Sequence, residues 1–212
     1  MKGGQDDLVM NHLFVPAINR IRFNPVLVNY GLTLRSMLKH GQYNWVHRDI
    51  TEKKFPHDRA RGIEEVPFEL YSFGCFIKSD QVNTELYDIG FRSATLPEIL
   101  AFGEQNPETQ RDRPIMALGS VCQGRDGRRL SPCLYGGRIW RTVNLRPFDA
   151  DWCAGYLFAA VPKEYPLNPQ NLRQNIFRKI WQHYFLKRKG EINRVSPIYP
   201  KLECRHSLLC EC

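Results

Sequence analysis

The chain has 212 residues, which is enough for one domain with an extension or for two small domains. Its 42% hydrophobic and 25% charged residues are ordinary for a globular protein, and no apolar run approaches the roughly 20 residues that span a bilayer. The first residues lack the apolar core of a secretory signal peptide, so the sequence predicts a cytoplasmic protein. The net charge of +8 leaves a nucleic-acid partner open.

The first part of the chain predicts short strands and a short helix. Residues 24–30 form a compact β-prone run, and the helix that follows is expected to end at Gly41. Residues 66–73 alternate as a strand does, and one predicted face carries Val66, Phe68, Leu70 and Ser72.

Two further helices are predicted between residues 79 and 103. The first has Ser79 as its N-cap and ends at Gly90. Its apolar stripe consists of Val82, Leu86 and Ile89. The second begins with the capping-box spacing of Thr95 and Glu98 and is expected to stop at Gly103.

The second half predicts several strands and then a change of composition. Residues 114–122, 130–135 and 156–161 are typical of strands, and residues 124–129 predict a tight turn. This order favours an α+β domain over a regular βαβ sheet. A proline-rich linker after Pro162 leads to a basic helix whose apolar stripe is Phe177, Ile180, Trp181 and Tyr184. The predicted divisions are an N-terminal segment at 1–23, a central domain at 24–162 and a basic, cysteine-containing tail at 163–212.

No catalytic or nucleotide-binding motif occurs in the sequence. His47 and Asp49 are interpreted as a polar turn. Asp149 and Asp151 would point to the same side of an extended segment, where they could bind a cation, act as acid and base, or bond to local backbone. We therefore predict no catalytic residue, no bound metal and no cofactor.

The seven cysteines are an odd number and do not predict a disulfide framework. Four stand among apolar or small neighbours and are expected to behave as small buried hydrophobes: Cys75, Cys122, Cys133 and Cys153. Four side chains of the tail could in principle surround zinc: Cys204, His206, Cys210 and Cys212. Their spacing lacks the C-x2-C pattern and favours an unstructured tail over a metal site.

Residues 134–161 concentrate aromatic residues, arginines and aspartates without a clear helical or strand period. The buried framework is expected to include Leu145, Trp152, Leu157 and Phe158. Other side chains would be costly to bury unpaired and are expected at the surface: Tyr135, Arg138, Trp140, Arg141, Asn144, Arg146, Phe148, Asp149 and Asp151. Such a composition is typical of a binding surface, although an aromatic core under loops would explain it equally well.

Three motifs resemble those of a family of short bacterial proteins. They are G-x-R-x-A-T-L-x-E-x-L-A-x-G at 90–103, Q-R-x-x-P-I-x-A-L-G-S at 110–120 and F-A-A-V at 158–161. The resemblance covers residues 24–163 and stops where the basic tail begins.

The end of the central domain also resembles the variable proteins of diversity-generating retroelements. That resemblance implies a C-type-lectin-like fold, with two helices and short, loop-linked strands, that presents variable residues just before its last core strand. In such systems variation arises at adenines, largely in AAC-type codons, which cannot become Lys, Glu, Gln, Met or Trp codons. Residues 131–162 contain no Lys, Glu, Gln or Met, whereas Trp140 and Trp152 would have to be fixed.

We therefore predict a non-enzymatic binding protein whose loops in residues 134–156 contact an unknown protein or surface ligand. The expected ligand-binding residues are Tyr135, Arg138, Trp140, Thr142, Asn144, Arg146, Phe148, Asp149, Asp151 and Tyr156. Two alternatives stay open. One is a basic nucleic-acid-associated protein that acts through a helix at 170–190, and the other is an enzyme that uses Asp149 and Asp151.

Overall fold

A computed structural model of the chain describes residues 18–164, which form an α+β domain with four α-helices and a nine-stranded mixed sheet. The helices are α1 (Leu34–His40), α2 (Ser79–Asp88), α3 (Leu96–Gln105) and α4 (Thr109–Asp112). The strands are β1 (Asn19–Arg22), β2 (Val26–Asn29), β3 (Trp45–Val46), β4 (Ile63–Val66), β5 (Glu69–Ser72), β6 (Ile77–Lys78), β7 (Phe91–Ser93), β8 (Ile115–Met116), β9 (Cys122–Gln123), β10 (Arg129–Gly137), β11 (Trp140–Pro147), β12 (Asp151–Trp152) and β13 (Leu157–Pro162). The predicted α+β class is confirmed.

Helix α3 begins where the sequence predicts, and side chains at the starts of α1 and α3 bind free backbone N–H groups of the first turn. At the start of α1 the Thr33 hydroxyl accepts a hydrogen bond from the Ser36 N–H at 3.1 Å. The capping box of Thr95 and Glu98 is present at the start of α3, where the Glu98 carboxylate accepts from the Thr95 N–H at 2.7 Å. Gly41 is the C-cap of α1, as predicted.

Two other helix ends differ from the prediction for tertiary reasons. Ser79 is the first residue of α2 and Lys78 is its N-cap, because the Ser79 hydroxyl donates instead to the Phe148 carbonyl at 2.5 Å. Helix α3 continues through Gly103 to its last residue, Gln105. Gly103 is small for a packing reason, since a Cβ at that position would collide with the Tyr43 hydroxyl.

The large sheet places β13 at its centre and the β10–β11 hairpin toward one edge. Its strand order is β1-β5-β13-β8-β10-β11-β3, and β7 and β9 pair with β13 and β10. Strand β13 is antiparallel to β5 and parallel to β8, while β3 adds to β11 in parallel. Two small sheets, β2–β4 and β6–β12, lie outside this order among the described residues.

The main hydrophobic core lies on one face of the sheet. Residues of β13 that point to this face, Leu157, Ala159 and Val161, belong to the same buried cluster as Leu134 of β10 and Val143 of β11. Helices α1 and α3 and strand β2 supply the opposing side chains, among them Leu34, Ile99, Leu100, Phe102 and Val28. Burial of each large apolar side chain stabilises the fold by about 1.5–3 kcal/mol.

A second buried cluster lies on the opposite face at the centre of the sheet. Phe158 and its strand partners Tyr71 and Met116 point to this face and are buried. The Trp152 ring covers Phe158, with centroids 6.4 Å apart, and the Trp152 indole donates to the Ser79 hydroxyl at 2.8 Å. Strand β12 and the start of α2 therefore close this part of the second face.

The segment predicted to contain loops at 134–156 is largely a β-hairpin. Strand β10 has nine residues and β11 has eight, so the expectation of short, loop-linked strands is wrong here. The expectation of two helices is also wrong, because the described residues contain four. Hydrogen bonds between neighbouring strands organise the segment, and a local sequence period does not reveal such pairing.

Candidate functional site

The β10–β11 hairpin brings most of the predicted binding residues together. Its register pairs Gly137 with Trp140, so the connecting loop has only two residues, Arg138 and Ile139. Ile139 is 86% exposed and Arg138 is also exposed. We call these two residues the hairpin tip.

Alternation along the strands separates a buried face of the hairpin from an outward face. Arg141, Val143 and Leu145 of β11 are buried, and the residues between them point to the opposite side of the sheet. We define the hairpin face as the outward residues Tyr135, Trp140, Thr142, Asn144 and Arg146, together with Trp45 of β3. Trp45 is 48% exposed and Trp140 is 38% exposed, while the other four are partly exposed.

Trp140 is held in position by its neighbours on the hairpin. Its ring meets the Tyr135 ring edge to face, with centroids 5.2 Å apart. It also covers Gly137, where a Cβ would lie 2.9 Å from the indole nitrogen. An aromatic side chain that is already ordered loses less conformational entropy when a ligand binds.

Arg141 fixes the hairpin from behind with a buried guanidinium, which is 6% exposed. It donates to the Gln110 side-chain oxygen at 3.1 Å, to the Gly41 carbonyl at 2.8 Å and to the Gly103 carbonyl. The two carbonyls lie at the C-terminal ends of α1 and α3, where helical carbonyls lack intrahelical partners and attract cations. Burial lowers the pKa of Arg141, and the Tyr43 ring lies 4.8 Å from its guanidinium carbon.

Helix α4 supports the hairpin from the same side. The Gln110 amide is 1% exposed and donates to the carbonyls of Tyr135 at 2.8 Å and Thr142 at 3.2 Å, which belong to different strands. Arg111 donates to the Gly137 carbonyl at 2.8 Å and to the next carbonyl at 2.9 Å. The hairpin tip therefore projects from a backbone that is fixed by side chains of α4.

Eight of the ten predicted binding residues divide into an outward group and a buried group in the structure. The outward group comprises Tyr135, Arg138, Trp140, Thr142, Asn144 and Arg146, which the hairpin places on its face and tip. Phe148 and Tyr156, which were expected in the ligand surface, are buried at 4% and 9% exposure. Arg141, expected at the surface, is buried because helix carbonyls and Gln110 supply the hydrogen bonds that its charge requires.

Phe148 and Tyr156 belong to the second buried cluster. The Tyr156 ring lies 5.0 Å from the Trp152 ring, and the Phe148 carbonyl accepts from Ser79. The predicted framework residues Leu145, Trp152, Leu157 and Phe158 are all buried, as expected. The segment is therefore part core and part surface.

Asp149 and Asp151 are both exposed. Asp149 forms an ion pair with Arg129, and Asp151 lies opposite Lys78 in the β12–β6 pair. Within residues 18–164 no group of three or more His, Cys, Asp or Glu side chains is placed to hold a metal ion.

His47 and Asp49 form the polar turn that the sequence indicates. The Asp49 N–H donates to the His47 Nδ1 at 3.1 Å, and the Asp49 carboxylate pairs with Lys54 at 2.9 Å. Hydrogen bonds with Lys54 outweigh desolvation and lower the pKa of Asp49.

None of the four cysteines of the described domain forms a disulfide bond. Cys122 and Cys133 are buried, as expected for small hydrophobes, whereas Cys75 and Cys153 are partly exposed. The possible zinc ligands of the tail and the 170–190 helix of the nucleic-acid alternative lie outside the described residues.

Sequence reasoning did not assign Gln110, Arg111 or Trp45 to the site, and it expected Arg141 at the surface. Gln110 and Arg111 open the Q-R-x-x-P-I motif, in which a strand was predicted only from residue 114. The structure places both in α4, and the strand begins at Ile115. Trp45 joins the hairpin face through the β3–β11 pairing, for which the sequence contains no local signal.

Comparisons of the chain with protein-family models, curated proteins and solved structures found no match. Among the residues that the structure describes, no helix is long and apolar enough to cross a membrane.

Proposed function

We propose that the chain is a non-enzymatic ligand-binding protein whose ligand surface is the hairpin face and the hairpin tip. The proposal rests on two tryptophans, a tyrosine, two arginines and an almost fully exposed isoleucine that lie along the β10–β11 hairpin and its neighbour β3, where Arg141 and α4 fix the backbone from behind. Buried structural side chains and exposed contact side chains alternate along the same strand.

The affinity of such a surface would come from aromatic area and from arginine hydrogen bonds. Trp, Tyr and Arg are the residue types that contribute most to protein interfaces. A fixed backbone and an ordered Trp140 reduce the entropy lost on binding, which improves affinity without new contacts. The ligand we favour is a protein or a surface-displayed molecule.

We further propose that the domain has a C-type-lectin-like fold and belongs with the variable proteins of diversity-generating retroelements. The position of the hairpin supports this proposal, since β10 and β11 precede β13, the last described strand, at the centre of the sheet. The absence of Lys, Glu, Gln and Met from residues 131–162 is consistent with variation at adenines. In this scheme the fixed Trp140 is a constant contact among variable ones.

Sequencing of the gene from many cells of one natural population tests the proposal directly. We expect amino-acid changes at outward positions such as Tyr135, Arg138, Asn144 and Arg146, with the nucleotide changes at adenines. The buried Arg141, which lies between them, should not vary. Changes spread evenly over the gene, or no changes, would remove the display function.

A variant of the protein provides a second test once a ligand has been selected. Replacement of Arg138, Trp140 and Arg146 together by alanine should abolish binding, because it removes both arginines and the main aromatic area of the surface. The unfolding temperature should change little, since the three side chains are exposed or partly exposed. A severe fall in that temperature would instead indicate that the segment is core.

A further inference from the structure

Arg146 differs from the other arginines near its end of the hairpin. Arg128 pairs with Asp126, and Arg129 pairs with Asp149. The Arg146 side chain forms no ion pair within the described domain, although it is only partly exposed. Its Nε is shielded from solvent and has no hydrogen-bond partner among the described residues. A buried donor without an acceptor is costly, so the guanidinium is poised for an acceptor that comes from outside.

Ser131, which pairs with Arg146 across the hairpin, also has a side-chain polar atom without a hydrogen-bond partner among the described residues. The register places Ser131 of β10 directly opposite Arg146, so that both side chains lie on the outward side of the sheet. Ser131 is 0% exposed, and its hydroxyl oxygen has no hydrogen-bond partner among the described residues. One cross-strand pair of the hairpin therefore contains two polar groups that lack hydrogen-bond partners among the described residues.

Asn144 extends this pair along β11. Its side-chain oxygen already accepts a hydrogen bond from the Leu145 N–H at 2.8 Å, so its amide NH₂ group is what it offers a ligand. Together the guanidinium, the hydroxyl and the amide provide several donors and one positive charge. Neither the hairpin face nor Ser131 contributes a carboxylate.

We propose that Ser131, Asn144 and Arg146 form a binding site for a carboxylate group presented by the protein ligand. This inference rests on the proposed function, because it names the chemical group that the hairpin face recognises. A carboxylate is an acceptor with two oxygens, which suits the planar fork of a guanidinium and an adjacent hydroxyl. Carboxylate binding requires the Arg146 side chain to turn outward, so that its Nε and the Ser131 hydroxyl, which are both shielded from solvent, become accessible.

A carboxylate on a protein suits this site better than the phosphates of a nucleic acid. Binding to a nucleic-acid strand uses a series of cations that follow successive phosphates. On the hairpin face Arg146 is the one cation, and Arg138 at the tip lies about 25 Å away along the strand at the usual rise per residue. Arg128 and Arg129, at the end of the hairpin where Arg146 lies, are paired with aspartates.

The test is an NMR titration of the full chain at constant ionic strength, with chloride as the balancing anion. The probes are acetate, inorganic phosphate and a six-residue thymidine oligonucleotide. The signals are the Arg146 Nε–H and the backbone amides of Ser131 and Asn144. We expect acetate to move all three in a saturable manner, with a dissociation constant on the order of millimolar. Phosphate should bind with a similar dissociation constant, and the oligonucleotide should bind no more tightly than phosphate.

Three variants separate a built site from general charge attraction. Ser131→Ala should weaken acetate binding about tenfold while leaving the fold intact, because it deletes one donor to a charged acceptor and no existing bond. Arg146→Gln should abolish the acetate-induced shifts of Ser131 and Asn144. Arg128→Gln, the matched control, removes the same charge from an exposed position and should preserve them.

Several results would overturn the inference. Absence of saturable shifts, or equal losses in Arg146→Gln and Arg128→Gln, would mean that no carboxylate site exists. An unchanged acetate affinity in Ser131→Ala would show that Ser131 is not part of the site. Oligonucleotide binding at least tenfold tighter than phosphate would assign the face to nucleic acid. The NMR signals of Ser131, Asn144 and Arg146 report only on this site, whereas population sequencing reports on the whole surface. A negative result for the carboxylate site can therefore be distinguished from a negative result for the display function.

Discussion

Replacement of Arg141 by methionine tests whether the hairpin is fixed from behind as the structure indicates. Methionine keeps most of the aliphatic volume but removes the donors to Gly41, Gly103 and Gln110. Each acceptor left unsatisfied in the interior costs about 1–3 kcal/mol, which gives roughly 3–9 kcal/mol for three. Part of this sum is offset, because methionine carries no charge whose burial costs free energy and because water can reach part of the site. We expect a net loss of about 3 kcal/mol in the free energy of unfolding.

Urea denaturation followed by tryptophan fluorescence measures that loss. A loss of this size should also lower the unfolding temperature by about 6–12 °C. The matched control is Arg138→Met at the exposed hairpin tip, three residues away, which should change the free energy by less than about 0.5 kcal/mol. A loss below about 1 kcal/mol in Arg141→Met, or equal losses in the two variants, would refute the role of Arg141 as the internal anchor of the hairpin.

Two further variants test contacts between elements. Gly103→Ala should lower the free energy of unfolding, measured by urea denaturation, by about 2 kcal/mol, because the new methyl group collides with Tyr43 and Leu134. This collision outweighs the better helix propensity of alanine. A variant more stable than the wild type would contradict the close packing at Gly103. Burial by itself raises the pKa of the Glu98 carboxyl. The hydrogen bonds and positive charge of Arg92, together with the hydrogen bond from the Thr95 N–H, outweigh that effect and hold the pKa below its usual value. The stability that Glu98 contributes is therefore present above its unfolded-state pKa of about 4.3 and is lost as pH falls through the lower folded-state pKa. The difference in unfolding free energy between the wild type and Glu98→Gln should be largest near neutral pH and shrink toward pH 3, whereas a constant difference would exclude the linkage.

The local signal was sufficient for the start of α3 because the groups involved are close in sequence, and the cap of α1 is equally local. Thr33 binds the N–H of Ser36, and Glu98 binds the N–H of Thr95, so each interaction is complete within one turn. The tight turn is local too, and Gly127 has the positive φ of 81° that glycine adopts readily. Apolar positions such as Leu157 could also be assigned to the core from hydrophobicity alone.

The candidate site could be predicted only in part, because residue type does not say which side of a strand a residue faces. Arg138, Arg141 and Arg146 are chemically identical, yet the first is exposed and the second is buried. The third is partly buried, and its Nε has no hydrogen-bond partner within residues 18–164. The register of β10 on β11 decides these outcomes, since a shift by one residue would reverse every side chain. That register depends on contacts from other elements.

The sequence by itself determined the α+β class, the capped start of α3, many of the apolar core positions and the unusual composition of residues 134–161. The tertiary structure alone decided which arginine holds the fold and which residues form the outward surface. The partners of Arg141 lie between 31 and 100 positions away in the chain. No local period carries that information, because buried charge is tolerated only where distant carbonyls and amides converge to satisfy it.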